Sequence, residues 1–211
     1  MRHTARVGSP DPRGDDVPAA RGRPRTGVRE AVIATAQQVL TESGVARLST
    51  REVAARAGVA ESSIFYHFGD RMGLLHAVIQ QHLRPLQDML ADHRTPVVDL
   101  RAELLALVQT LEEFFVAAIP VMAAILSDTD LRARHETRSR DLDLGPHRAV
   151  DAVLAHLSPR LPAPVPRPAA LLLVGAAHQR ALQRRLSPPE ALTVLPTAAE
   201  IVDAALPLFR P

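Results

Sequence analysis

From Thr26 to the end of the chain, apolar residues return at helical spacing, and no segment alternates as a half-buried strand would. Ile33, Ala36 and Leu40 recur at i, i+3 and i+7, Val32 and Val39 widen the stripe, and Gly44 supplies a stop. Ser49-Thr50-Arg51-Glu52 reads as a capping box, in which serine hydroxyl and glutamate carboxylate each satisfy an orphan amide. It opens a short helix whose buried side is Val53, Ala54 and Ala57. Gly58 ends that helix, Val59 and Ala60 make a turn, and Glu61 to about Phe68 form a third helix. After Gly69-Asp70, a fourth runs from about Arg71 to His93, bent at Pro85. Downstream, Leu100–Ile119 carries Leu104, Leu107, Leu111 and Phe115 on one face, and Val121–Ser127 reads as a separate short piece beyond Pro120. Leu131–Leu144 is arginine-rich and solvated, and Pro146 starts a helix ending near Leu157. Five prolines in residues 159–168 make a stiff extended linker. Ala169–Leu186 is a strongly apolar helix, and Pro189–Phe209, interrupted at Pro196 and Pro207, closes the pattern. The expected fold class is all-α.

Composition removes whole classes of chemistry. There is no cysteine, which excludes disulfide frameworks, thiol catalysis and cysteine-held metals. All 25 basic residues are arginine, so a P-loop lysine, a Schiff-base lysine and a protein-kinase site are excluded as well. The 9 histidines show no H-x-x-x-H or H-E-x-x-H spacing, and His76 and His82 lie on opposite faces of a helix, so no metal site, cofactor or catalytic residue is expected. The longest apolar run, Phe114–Leu126, is shorter than the roughly 20 residues of a membrane span. The Arg- and Pro-rich start has no apolar signal region, and the expected location is the cytoplasm.

Charge is informative once it is divided. Residues 1–76 hold 11 arginines against 8 acidic groups, whereas the rest holds 14 against 15. The basic excess lies in the first third, as contact with a polyanion requires. Residues 1–25, with 4 prolines, 3 glycines and 6 arginines, cannot bury enough surface to order themselves and read as a disordered basic arm. Its Arg21, Arg23 and Arg25 precede the first helix, where they could reach DNA phosphate or the minor groove.

Three short helices, the last two joined by a turn around glycine, make a helix-turn-helix. Small Ala54, Ala55 and Ala57 let the second helix approach the third. Of 5 phenylalanines and 1 tyrosine, Phe65, Tyr66 and Phe68 fall within four positions, too many aromatics on one short helix to face a single core. Spacing turns Ile64 and Phe68 inward and leaves Tyr66 and His67 pointing away.

The run LSTREVAARAGVAESSIFYHFGDRMGLL, Leu48 to Leu75, resembles the DNA-binding signature of the TetR family of transcriptional regulators. The matching features are the Ser49 cap, Val53-Ala54, Ala57-Gly58-Val59, Ile64 to Phe68, and Asp70-Arg71 before Leu74-Leu75. The resemblance implies that Ser49 and Thr50 bind phosphate at a helix N-terminus and that Glu61, Ser62 and Ser63 face base edges. Tyr66 and His67 would touch backbone or a thymine methyl, and Arg71 would clamp a phosphate where the family usually has lysine. The sequence departs from the family at two positions. Ala60 replaces a capping Ser or Thr, which points to Ser62 as a substitute cap. Phe65-Tyr66 replaces Tyr followed by a variable residue, which moves the hydroxyl by one position.

The resemblance further implies a domain order: the arm over 1–25, a DNA-binding domain over 26–75, and a helical ligand-binding and dimerisation domain over 76–211. Its expected partners are a palindromic double-stranded operator, a small-molecule effector and a second copy docked through about 169–209. Candidate effector contacts are Leu86, Met89, Leu107, Leu111, Phe114, Phe115, Met122, Ile125 and His178. A repressor released by its effector is the reading that follows. A non-specific architectural DNA-binding protein, or a small-molecule-binding protein with a vestigial motif, are the alternatives.

Overall fold

The computed structural model describes residues 27–44, 47–91, 95–143 and 145–210, so the basic arm lies outside the described residues. Every regular element among them is helical. The order is α1 (Val28–Ser43), α2 (Thr50–Ala57), α3 (Glu61–Phe68), α4 (Arg71–Leu90), α5 (Leu100–Ser127), α6 (Thr129–Leu142), α7 (His147–Leu157), α8 (Arg167–Leu186), α9 (Pro189–Leu192) and α10 (Ala198–Ala205), with single 3-10 turns at Ser158–Arg160 and Leu206–Phe209.

Helix ends follow local chemistry. Gly44 closes α1 at φ 66°, its N–H returning to the Leu40 carbonyl. Gly58 closes α2 in the left-handed region, where a side chain would be strained. Ser49 caps α2 by accepting from the Glu52 amide at 3.1 Å. The capping box is only half formed, because the Glu52 carboxylate turns outward to Arg56 at 2.7 Å. That arginine also reaches Glu42 of α1 at 2.8 Å, so the second half of the box is traded for a strap between helices. No side chain caps α3, and the substitute cap expected of Ser62 does not form. Asp70 caps α4 through the Gly73 amide at 2.7 Å.

The sequence predicts a break at Pro120, yet α5 runs through it as one 28-residue helix. Proline cannot donate to the carbonyl four residues earlier, which belongs to Val116. Arg185 of α8 reaches that carbonyl at 3.4 Å and supplies a substitute donor. By length and composition α5 could cross a membrane. Its apolar residues pack instead into two cores of this fold.

The first core lies under α1–α4 and takes in Val121, Ala124 and Ile125 from the end of α5 and Leu131 from α6. The second is built by α5, α7, α8 and α10 around Leu104, Leu107, Leu111, Leu157 and Leu173. At 1.5 Å per residue α5 is about 42 Å long, enough for its two ends to serve different cores. In its middle, buried Glu112 receives Arg180 at 2.7 Å and Arg184 at 2.7 Å. Burial pushes the Glu112 carboxyl up, but these two donors outweigh it and hold it below the usual carboxylate range. Glu103 similarly gathers Arg160 at 2.7 Å and His156 at 2.6 Å, and Arg160 also donates to the Thr95 carbonyl at 2.8 Å. These contacts fasten the segment before α5 to the end of α7.

Candidate nucleic-acid interface

α2 and α3 form the helix-turn-helix, with Gly58, Val59 and Ala60 between them. Inside, Val53, Ala54, Ile64 and Phe68 are buried against α1 and α4. Arg29 of α1 lies over the Phe68 ring, 5.6 Å from its centroid. The other side of α3 is open. Tyr66 is 79% exposed and Phe65 50%, and Ser62 is also exposed. Large aromatic groups left in water on a helix with a well-formed core behind them mark a surface that meets a partner. Half-buried His67 packs edge-on against Tyr66, with ring centroids 5.1 Å apart. Phe65 was not among the sequence candidates; its adjacency to Tyr66 on a helix with Ile64 and Phe68 turned inward was the available signal.

The other expected contact residues are more engaged. The Thr50 hydroxyl donates to the Glu61 carboxylate at 2.6 Å, tying the start of α2 to the start of α3. Ser49 is exposed but spends its oxygen on the α2 cap, and Ser63 is half-buried. Arg71, at the first position of α4, points back to Asp128 of the α5–α6 junction, Nη1 to Oδ2 3.2 Å.

The effector candidates divide between the cores. Leu86, Leu107, Leu111 and Phe115 belong to the second core, with Met89 and Phe114 packed against it. His178 of α8 stands edge-on to Phe115, centroids 4.9 Å apart, and its buried Nε2 has no hydrogen-bond partner. Met122 is half-buried in neither core. Ile125 lies in the first core, because it falls on the far end of α5. Two open cavities flank the bundle without touching any of these nine. One of about 610 Å³ lies between Asp70, Met72 and the Arg134–Arg138 side of α6, and one of about 850 Å³ lies between α5, α8 and the start of α10.

Comparison with known proteins adds the decisive observation. Residues 32–78, the span of α1 to the start of α4, match the profile of bacterial regulatory proteins of the tetR family. The helix-turn-helix segment of the chain is thus similar to the DNA-binding region of that family. The HTH-type transcriptional repressor BepR of Brucella suis biovar 1 (strain 1330) is 30% identical over 37% of this chain and 40% of its own length. The HTH-type transcriptional regulator BetI of Stenotrophomonas maltophilia (strain R551-3) is 34% identical over 36% of this chain and 41% of its own length. The chain thus spans about two fifths of the length of these curated relatives. The SmeT–triclosan complex shares the fold over 88% of this chain and 92% of that one, with a TM-score of 0.58 and 23% identity. That shared fold, an N-terminal helix-turn-helix followed by a helical domain, therefore extends over nearly the whole chain.

Proposed function

We infer that this chain is a sequence-specific DNA-binding transcriptional regulator of repressor type, released from its operator by a small molecule. The carrying observation is the exposed Ser62–Phe65–Tyr66 face of α3, in a segment that matches the tetR-family profile. Serines 62 and 63 suit base edges, because a hydroxyl both donates and accepts. Tyr66, Phe65 and His67 suit sugar, phosphate and thymine methyl. Ser49 approaches phosphate with its hydroxyl hydrogen, since the cap uses only the oxygen as acceptor, and Thr50 with its amide, since its hydroxyl donates to Glu61; Glu61 braces Thr50 and so holds α3 against α2. The assembly is a homodimer through about 169–209, which presents two recognition helices to a palindromic site in the cytoplasm.

The effector binds in the second core beside Leu86, Met89, Leu107, Leu111, Phe114, Phe115 and His178. This core is apolar and offers one unsatisfied group, His178 Nε2. It suits a largely apolar molecule with a single hydrogen-bonding atom. SmeT, of the same fold, is seen with triclosan. Release follows if the effector favours a state in which α4 carries α3 away from the spacing DNA requires, and the shift is limited by its differential affinity for the two states.

Selection of binding sites from a random double-stranded DNA pool, with wild type and Tyr66→Ala side by side, tests the reading. The expected result is a palindromic consensus enriched by wild type and lost or weakened by the variant. Binding without enrichment would move the protein to the architectural class, and no binding to duplex DNA would overturn the reading.

A further inference from the structure

Asp70 and Asp128 are both helix N-caps, and each also holds an arginine of the other's helix. Asp70 accepts from the Gly73 amide of α4 at 2.7 Å and from Arg134 of α6 at 3.3 Å. Asp128 accepts from the amides of Asp130 and Leu131 of α6 at 3.0 and 3.1 Å, and from Arg71 of α4 at 3.2 Å. This reciprocal pair joins the recognition helix's successor to the α5–α6 junction. Arg71 follows the end of α3 by only three residues, so its guanidinium can be asked for by two anions, Asp128 and a DNA phosphate.

We propose that Asp128 is an intramolecular competitor for Arg71, standing where a DNA phosphate would otherwise draw the guanidinium, and so sets how tightly the domain grips DNA. The proposal rests on the DNA-binding reading above. A guanidinium bonded to a carboxylate must give up that charge-assisted contact to bind phosphate, so the carboxylate lowers DNA affinity. It also blunts salt dependence. Arg71 releases a counterion from DNA, but the vacated Asp128 takes up a cation from solution. Because Asp128 sits on the joint between α5 and α6, any movement of the effector half shifts the competition.

Asp128→Asn isolates the charge, since asparagine is as good an N-cap as aspartate. The contact to phosphate is independent of sequence, so a mixed-sequence duplex of about 30 base pairs serves as probe. Asp128→Asn should bind it about two- to fivefold more tightly per protomer, the worth of a partly exposed ion pair. Its log affinity should fall more steeply with log salt, by about one unit of slope. In an Arg71→Gln background the same change should do nothing, because the competition has lost its object. Asp128→Ser, another good cap, repeats the test if the asparagine variant folds poorly. Unchanged or weaker binding by the charge-free variants, or an equal gain with Arg71→Gln, would overturn the proposal while leaving DNA binding intact. Failure of wild type to bind any duplex at low salt would instead overturn the reading beneath it.

Discussion

His76 of α4 is buried, with Nε2 3.2 Å from His135 Nδ1 of α6 and no partner for its own Nδ1. Burial first, then the charges of Arg138 and His135, push its imidazole down to about 4 against an opposing pull from Asp70. A base whose folded pKa is depressed stays neutral while the unfolded chain takes up a proton. Its full stability is therefore present above about pH 6.5 and is lost as pH falls toward 4. The shift is worth up to about 3 kcal/mol, less whatever solvent relaxation recovers. His82, also lowered by burial, adds to the loss with the same sign. Glu103 and Glu112, held below the usual carboxylate range, lose stability only at lower pH. Urea unfolding between pH 7 and 4.5 should show the decline, and His76→Gln should flatten it; an unchanged slope in that variant would remove His76 as its source. Glu112 is the other buried charge with consequences. Glu112→Gln leaves Arg180, itself largely buried, without its countercharge, and we expect a loss of about 2–4 kcal/mol in urea unfolding at pH 7. Arg180→Met in the same chain should recover part of it, because the stranded charge is then gone.

At the level of elements, the joint between α3 and α4 depends on a close approach. A Cβ placed on Gly73 would lie 1.8 Å from the Phe68 carbonyl oxygen and 3.0 Å from its carbon. The clash is with backbone, so it cannot be relieved by a rotamer change. Gly73→Ala must open the α3–α4 angle, and we expect about 2–3 kcal/mol of destabilisation together with weakened DNA binding. If thermal unfolding of the alanine variant matched wild type, the joint would be looser than this geometry requires. The ends of α1, α2 and α3 and the start of α4 were legible in the sequence because their punctuation is local: Gly44, Ser49, Gly58 and Asp70 act on amides and carbonyls within a few residues, whereas α4 ends at Leu90, short of the expected His93. The same holds for the inward Ile64 and Phe68 and the exposed Tyr66, which helical spacing alone separates. Long-range partners left no such trace. The continuity of α5 through Pro120 depends on Arg185, 69 residues beyond the carbonyl it serves. Arg71 and Asp128 are 57 residues apart, and His76 and His135 are 59. Resemblance to a family assigned Arg71 to phosphate, whereas the fold engages it with a carboxylate of its own.

Across the whole molecule, the two cores share α5, but large apolar side chains remain uncovered on α8. On α8, Leu171 and Leu172 are 58% and 61% exposed, and Leu186, on the same face about four turns further on, is 75% exposed. Exposed Val194 and Leu208 lie on either side of α10 in the chain. Gly175, between these leucines on α8, has open space where a side chain would stand, so another helix could come close there. Exposed leucines of this kind beside a well-packed core suit an interface, and a second copy is the occupant that the proposed two-fold DNA recognition would require. Leu172→Glu places a charge in the middle of that surface without touching either core. We expect the variant to sediment as a folded monomer while wild type sediments as a dimer. Its affinity for the selected palindrome should fall by about a hundredfold or more, because two half-sites are then no longer bound as one linked event. Its affinity for non-specific duplex, counted per protomer, should change far less, since phosphate contacts are made by each domain separately. A Leu172→Glu protein that remained dimeric would put the interface elsewhere. One that became monomeric yet kept its grip on the palindrome would show that a single recognition helix is enough.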